Sequence, residues 1–219
     1  MAFFEEILQI TFLSLQISGI ATGISLLLGM PLGTLLALGN FPGRSLLLSL
    51  INTGMGLPPV VVGLFVAMML WRSGPLGDLR LIYTPTAIII AQVVIAFPVV
   101  AGLTTSALQA LDPRLQLQLR GLGASTPQMV WMLWREARMP LLAALMAGFG
   151  AVISEVGASM MVGGNIRYQT RVLTTAIVLE TGKGQFDMAI GLSILLLTIT
   201  FLVNWALTVI QQRSIRRGQ

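Results

Sequence analysis

The sequence contains no cysteine and no histidine, and only 10% of its 219 residues are charged. Without cysteine, neither a disulfide framework nor a thiolate metal site can form. The lack of histidine removes a common zinc ligand, the usual physiological proton carrier and every histidine-based catalytic triad. A soluble domain would carry about 25% charged residues. Hydrophobic residues make up 55% of the chain instead, which indicates an integral membrane protein.

The same absences weigh against an intramembrane enzyme, because no nucleophile and base can be paired at a plausible spacing. We therefore predict no catalytic residue, no metal site and no cofactor. The stretch Gly182-Lys183-Gly184 superficially resembles a phosphate-binding loop, but Ile177 stands where its first glycine is required and Gly184 replaces its Ser or Thr. The net charge of +5 is assigned to membrane topology, so no nucleic-acid partner is expected.

Five stretches are apolar and long enough to cross the hydrocarbon layer, which takes about 20 residues. They run over residues 7–39, 45–71, 85–108, 140–163 and 187–210. We expect an all-α membrane protein in which residues 1–219 form one domain, with a further helix at 170–179. The acidic start, Met1 to Glu6, lacks the basic stretch and cleavage site of a signal peptide, so we expect it to be retained.

Several residues inside these spans are unusual for a plain membrane helix. Pro58 and Pro59 cannot donate backbone hydrogen bonds, so they break or kink the second span, either beside a cavity or to allow packing. Asp187 only opens the fifth span, so Glu155, next to Ser154, is the one charged residue in the interior of any span, which makes it a functional candidate by default. Glycines at positions 19, 23, 29 and 33 predict close approach of neighbouring helices, and Gln92 predicts an interhelical hydrogen bond.

The longest polar interruption between spans runs from Asp112 to Pro140. Asp112 is a good N-cap followed by proline, and Ser125 or Thr126 caps a second helix that opens near Pro127. A Gly-Leu-Gly turn at 121–123 lies between the two helices. The sequence of residues 112–140 therefore predicts a helix-turn-helix that protrudes from the membrane and can bind a soluble partner.

The run Leu122-Gly123-Ala124-Ser125, followed by a hydrophobic helix and Met139-Pro140, resembles the EAA loop of permease subunits in ATP-binding-cassette (ABC) importers of type I. In place of the usual Glu-Ala-Ala it has Leu-Gln-Leu at 117–119, which indicates a particular branch of the family. The segments 57–63, 41–44 and 154–158 resemble molybdate and tungstate permeases, and 160–180 is most similar to the tungstate members. These segments extend the resemblance over nearly the whole chain.

The resemblance implies the membrane subunit of an oxyanion importer, most simply for tungstate, with molybdate as the alternative. Two copies would pair to form the pathway, a separate ATPase subunit would bind ATP and magnesium, and an external solute-binding protein would deliver the anion to the loops at 72–84 and 165–186. Coupling to the ATPase is assigned to Arg120, Leu122, Gly123, Ala124 and Ser125. The path or gate is assigned to Pro58, Pro59, Ser154 and Glu155, with Glu155 bonding helices or shaping the gate rather than binding substrate.

The charges predict an orientation in the cell inner membrane. If the stretch 112–140 is cytoplasmic, eight arginines lie inside and five cations outside, which follows the positive-inside rule. Trp131 and Trp134 fit an aromatic belt on the inner face. The N-terminus is then external and the C-terminus cytoplasmic. Arg167 and Arg171 would lie at the outer mouth, either attracting the anion or contacting solvent or the binding protein. A secondary transporter is the remaining alternative, although no internal repeat is found.

Overall fold

The computed structural model describes the backbone of residues 2–216 and the side chains of residues 4–212. The C-terminal arginines in the predicted topology, Arg213, Arg216 and Arg217, lie outside the described side chains. Every regular element within residues 2–216 is helical. Besides a 3-10 turn at Gly77–Leu79, the helices are α1 (Ala2–Leu38), α2 (Arg44–Met55), α3 (Pro59–Leu70), α4 (Pro85–Gln109), α5 (Pro113–Gly121), α6 (Thr126–Glu136), α7 (Arg138–Ile153), α8 (Gly157–Gly163), α9 (Leu173–Gly182) and α10 (Phe186–Arg216).

Three helices are long and apolar enough to cross a membrane on their own: α1, α4 and α10. Two bent helix pairs raise the number of candidate spans to as many as five when each pair is counted once. One pair is α2 with α3, and the other is α6 with α7. The all-helical membrane architecture is therefore confirmed, and the count of five spans stays a prediction.

The predicted second span is not one helix. It divides into α2 and α3, whose axes differ by 105°. Pro58 adopts an extended backbone conformation immediately before α3, and Pro59 occupies its first turn, where a missing N–H leaves no hydrogen bond unmade. The predicted break at these prolines is confirmed, and it is sharper than a kink.

The predicted fourth span, 140–163, is wrong as a continuous helix. α7 ends at Ile153, and the seven-residue α8 starts only at Gly157. Gln92 of α4 donates a hydrogen bond to the carbonyl oxygen of Val152 (3.1 Å) near the end of α7. The same oxygen accepts from the amide of Glu155 (3.2 Å). Gln92 thus makes the predicted interhelical hydrogen bond, at the point where the helix is interrupted.

The predicted helix at 170–179 is shifted, since α9 begins at Leu173 and extends to Gly182. Thr170 belongs to the preceding loop, where its hydroxyl donates to the carbonyl of Gly163 and accepts from the amide of Ile166. Thr175 accepts from the amide of Val172 at the start of the helix. Threonine side chains that satisfy backbone groups locally favour a loop or a cap over a helix interior, and they account for the shift.

α1 and α4 form the centre of the fold, packed along glycines of α1. A Cβ atom on Gly33 would stand 2.6 Å from the carbonyl oxygen of Ala101, and one on Gly29 would stand 2.9 Å from Val100. Close helix approach is therefore confirmed at Gly29 and Gly33. Gly19 and Gly23 have no heavy atom within 4 Å of the same position, so that half of the glycine series faces open space in the single chain.

Substitution of Gly33 by alanine is expected to destabilise the chain by about 2 kcal/mol, because the new methyl group must displace the backbone of α4. The measurement is thermal unfolding of the purified protein in detergent. Gly19→Ala in the same helix is the matched control and should leave the unfolding temperature unchanged. Equal stability of the two variants would contradict the packing described for α1 and α4.

Candidate functional site

The stretch 112–140 folds as predicted into two short helices joined by a tight turn. Asp112 caps α5, since its carboxylate accepts a hydrogen bond from the amide of Arg114 (2.8 Å). Gly123 adopts a left-handed conformation (φ 79°), which glycine reaches without steric cost. Ser125 precedes α6, and its amide donates to the side-chain oxygen of Gln128 (2.8 Å). The local sequence therefore fixes both helix starts and the turn.

The turn presents an apolar tip to solvent. Leu122 is 83% exposed, and Arg120, Gly123 and Ser125 are exposed beside it. Ala124 differs from the other predicted coupling residues because it is half-buried against the cluster under the helices. That cluster joins the inner faces of α5 and α6 to the ends of α4 and α7, and contains Ala107, Leu108, Leu119, Met129, Leu133, Ala137 and Leu141. The tip is thus held on a packed base.

Trp134 connects this base to α1. Its indole N–H donates a hydrogen bond to the hydroxyl of Thr34 (2.8 Å), which itself donates to the carbonyl of Met30 one turn earlier. The sequence analysis assigned Trp134 to an aromatic belt and did not single out Thr34. An indole needs one acceptor when buried, but nothing in the sequence places that acceptor 100 residues away.

The two interrupted elements of the fold meet each other. A Cβ atom on Gly63 of α3 would stand 2.6 Å from the Cα of Ala158 in α8, and one on Gly157 would stand 2.7 Å from Val60. The break at Pro58 and Pro59 and the break at Ser154 and Glu155 therefore adjoin across a glycine contact. The structure brings these four predicted residues into one region of the fold.

Glu155 lies in the break and is only 7% exposed. One carboxylate oxygen accepts a hydrogen bond from the amide of Ala158 (2.8 Å), at the start of α8. Its backbone carbonyl accepts from the hydroxyl of Thr174 in α9 (2.8 Å). Ser154 instead donates to the carbonyl of Gly150 within α7 and is exposed. Glu155 thus connects the end of α7 to α8 and α9, whereas Ser154 makes a hydrogen bond only within α7.

The two loops predicted to contact a binding protein lie side by side. The amide of Tyr83 donates to the carbonyl of Val162 (2.8 Å), and the ring of Tyr83 lies against Gly164. Glu6, at the start of α1, forms ion pairs with Arg167 (2.6 Å) and Arg171 (3.1 Å). The hydrogen bond to Glu6 raises the pKa of Arg167 above its ordinary value. Because one carboxylate serves both arginines, their attraction for an external anion is reduced.

α1 separates the two surfaces. Glu6 marks the end that carries the paired loops, and Thr34 marks the end that carries the helix-turn-helix. At a rise of 1.5 Å per residue, the two positions are about 42 Å apart along the helix. That distance matches the thickness of a bilayer with its headgroup layers, about 40–45 Å. The helix-turn-helix and the paired loops therefore lie at opposite ends of α1, separated by about the thickness of a bilayer.

Comparison with known proteins agrees with this arrangement. Residues 29–216 match the family model described as binding-protein-dependent transport system inner membrane component. A "Probable anion ABC transporter permease protein" of Haloferax volcanii is 40% identical over 90% of this chain and 88% of its own length. The tungstate uptake system permease protein TupB of Peptoclostridium acidaminophilum is 39% identical over 96% of this chain and 92% of its own.

A further permease and a solved structure also match the chain over most of its length. The molybdenum permease ModB of Escherichia coli K12 is 27% identical over 94% of this chain and 96% of its own. A chain from inward-facing structures of the MetNI methionine ABC transporter superposes with a TM-score of 0.76 at 18% identity, covering 97% of this chain and 98% of the other. The resemblance inferred from the sequence is thereby confirmed: the chain is a multi-pass inner-membrane permease and belongs to the binding-protein-dependent transport system inner membrane component family.

Proposed function

We propose that the chain is the membrane subunit of an ATP-driven tungstate importer. The observation that carries the proposal is the 39% identity to a tungstate uptake permease over 96% of the chain. Identity to the molybdenum permease is 27% over a similar share, so molybdate is the alternative substrate. The subunit itself is not a catalyst, and ATP and magnesium are bound by a partner ATPase.

Two copies of the chain pair about a two-fold axis and enclose the pathway between them. A single copy leaves much of its apolar surface uncovered, including the exposed leucine, isoleucine and phenylalanine side chains along α10. Symmetric pairing is the commonest arrangement for soluble oligomers, and it supplies the second wall of a pathway that one chain cannot enclose. Membrane lipid covers the remaining apolar surface.

The ATPase engages the tip formed by Leu122 and Gly123, with Arg120 and Ser125 at its edge. The tip combines a large exposed apolar side chain with an exposed arginine, and arginine is enriched among the residues that dominate interface energetics. The face that carries this tip is cytoplasmic, so that the N-terminus is external and the C-terminus cytoplasmic. The paired loops on the outer face receive the solute-binding protein.

Movement of the tip reaches the gate through packed elements. α6 is connected to α1 by Trp134 and Thr34, and it is followed directly by α7. α7 ends at the break that holds Glu155, where α8 packs against α3. ATP binding brings the two ATPase subunits together and opens the pathway outward, and hydrolysis resets it. Pro58, Pro59 and Glu155 therefore form the hinge region of the gate. Ser154, which the sequence also assigned to the gate, bonds only within α7.

Trp134→Phe tests this connection, because phenylalanine keeps the apolar ring and removes the N–H donor to Thr34. The lost hydrogen bond is worth about 1 kcal/mol, so uptake per ATP hydrolysed is expected to fall about fivefold while ATPase binding persists. The measurement is the ratio of tungstate uptake to ATP hydrolysis in proteoliposomes. Trp131→Phe is the matched control, since Trp131 is 66% exposed. An unchanged ratio in Trp134→Phe would exclude this route.

The proposed function is tested by reconstituting the chain with its candidate ATPase and binding protein and measuring uptake of tungstate and molybdate. We expect ATP-dependent tungstate uptake that requires both partners. Preferential molybdate uptake would favour the alternative substrate. Uptake without any ATPase would indicate a secondary transporter and overturn the assignment.

A further inference from the structure

A cavity of about 830 Å³ lies between the first turns of α1 and α10 and the α9 region. It is distinct from the tip, the hinge region and the Tyr83 loop contact. Its lining divides into a charged part and an apolar part. The charged part contains Glu6, Arg167, Arg171, Glu180, Lys183 and Asp187, and the apolar part contains Ile7, Met188, Gly191, Leu192 and Leu195. We call this cavity the α1–α10 notch.

The charged part is balanced, with three carboxylates and three cations. Glu6 serves two arginines, and Lys183 pairs with Glu180 at 2.8 Å. Among the described side chains, Asp187 has no ion pair of its own. The side chains of Arg167 and Lys183 remain 56% and 46% exposed. The rim therefore offers cationic hydrogen-bond donors and a carboxylate to the same ligand, with no net charge.

The apolar part follows one face of α10. Met188, Leu192 and Leu195 are spaced by four and three residues, so their side chains line the same side of the helix. Gly191 lies among them, and no heavy atom stands within 4 Å of the position a Cβ would take. From Asp187 to Leu195 the helix descends about 12 Å. The notch therefore runs from the charged loop residues down the first turns of an apolar helix long enough to cross a membrane.

We propose that the α1–α10 notch binds one phospholipid with an ethanolamine headgroup. Lys183 and Arg167 bind the phosphate, and the carboxylate of Asp187 accepts a hydrogen bond from the ammonium group. One acyl chain lies in the open space beside Gly191. The balanced rim favours a zwitterionic headgroup over an anionic one. An ethanolamine ammonium has N–H donors for the carboxylate, which a choline headgroup lacks.

A free oxyanion fits the notch less well than a lipid. Arg167, Arg171 and Glu6 together carry one net positive charge, which matches the single charge of a phosphodiester. The carboxylates of Glu180 and Asp187 repel the second charge of a dianion. Leu192 is already buried in the core, but an oxyanion would make no use of exposed Gly191 or of the exposed parts of Met188 and Leu195. The lipid satisfies both parts of the notch at once.

Native mass spectrometry of the delipidated full-length chain tests the proposal, and its readout does not depend on transport. The probes are phosphatidylethanolamine, phosphatidylcholine and phosphatidylglycerol with identical palmitoyl and oleoyl chains. We expect the ethanolamine lipid to bind about tenfold more tightly than either of the others, because charge-assisted hydrogen bonds of this kind are worth about 1.5 kcal/mol or more. Equal binding of the three lipids would overturn the proposal.

Gly191→Leu fills the apolar gap and is expected to reduce binding of all three lipids about tenfold, since it blocks the acyl chain. Ala206→Leu is the matched control, because Ala206 is exposed on α10 about 22 Å further along the helix. Asp187→Asn keeps the shape of the rim and should abolish the preference for ethanolamine over glycerol. It also keeps the proposal falsifiable if Gly191→Leu does not fold.

Three further outcomes would assign the notch to a different ligand. Displacement of the lipid by sodium tungstate would identify an oxyanion site at the outer mouth. Equal binding of free phosphoethanolamine would show that the apolar lining contributes nothing. If the lipid dissociates when two copies of the chain assemble with the ATPase, the notch is a contact between subunits. Each of these results contradicts a lipid site.

Discussion

Gly123→Trp is expected to abolish ATP-driven uptake while leaving the membrane-embedded part of the chain folded. Gly123 lies at the exposed tip, and no heavy atom stands within 4 Å of the position a Cβ would take. The indole therefore extends outward into the space assigned to the ATPase. Disruption of a central interface residue commonly costs about 2 kcal/mol or more, which corresponds to a loss of complex of at least about 30-fold. Co-purification with the ATPase and oxyanion-stimulated ATP hydrolysis measure this loss.

Gly123→Ala separates the added bulk from the backbone conformation. Both substitutions place a Cβ on a residue with φ of 79°, so both bear the same strain of about 1–2 kcal/mol. Only tryptophan adds a side chain large enough to obstruct a partner. We expect Gly123→Ala to retain most of the complex. If Gly123→Trp copurifies as wild type does, the ATPase binds elsewhere and the coupling role assigned to the tip is wrong.

The parts of the fold that the sequence could predict depend on local signals. The capped helices on either side of Gly123 follow from Asp112, Ser125 and the following prolines, whose effects act within one turn. The break at Pro58 and Pro59 follows from two missing N–H donors. The long apolar helices α1, α4 and α10 follow from hydropathy alone. In each case the cause lies within a few residues of its effect.

The parts that the sequence could not predict depend on distant partners. Nothing between Ile153 and Gly157 forbids a helix as proline does, and the interruption there is sustained by contacts with other elements. Gln92 adds a further donor to the carbonyl of Val152, which also accepts from the amide of Glu155, and Thr174 donates to the carbonyl of Glu155. The bond between Trp134 and Thr34 is of the same kind. These residues have ordinary identities, and their roles arise only from the packing of α1, α4 and α9.

Glu155 was singled out for its charge and expected to bond helices or shape the gate rather than to bind substrate. Its carboxylate accepts from the amide of Ala158, which would otherwise lack a helical partner at the start of α8. It therefore acts through an oxygen atom at a fixed position. This agrees with the expectation that Glu155 bonds helices or shapes the gate, and it makes acceptance of a hydrogen bond, rather than negative charge, the property required.

Glu155→Ala is expected to reduce stability by about 1–3 kcal/mol, because the buried amide of Ala158 loses its acceptor. Since the break adjoins Val60 and the prolines, tungstate uptake should fall further than stability does, by about tenfold or more. Glu155→Gln keeps one side-chain oxygen and should retain most of both properties. Thermal unfolding in detergent and uptake in proteoliposomes distinguish the two variants.

Ser154→Ala is the matched control one residue earlier. The hydroxyl of Ser154 bonds only to Gly150 within α7 and is exposed, so its removal should change neither stability nor uptake. A folded Glu155→Gln chain without uptake would show that the negative charge itself is required, and the capping role would then be insufficient. Retained uptake in Glu155→Gln together with its loss in Glu155→Ala would establish that the gate depends on the hydrogen bond that starts α8.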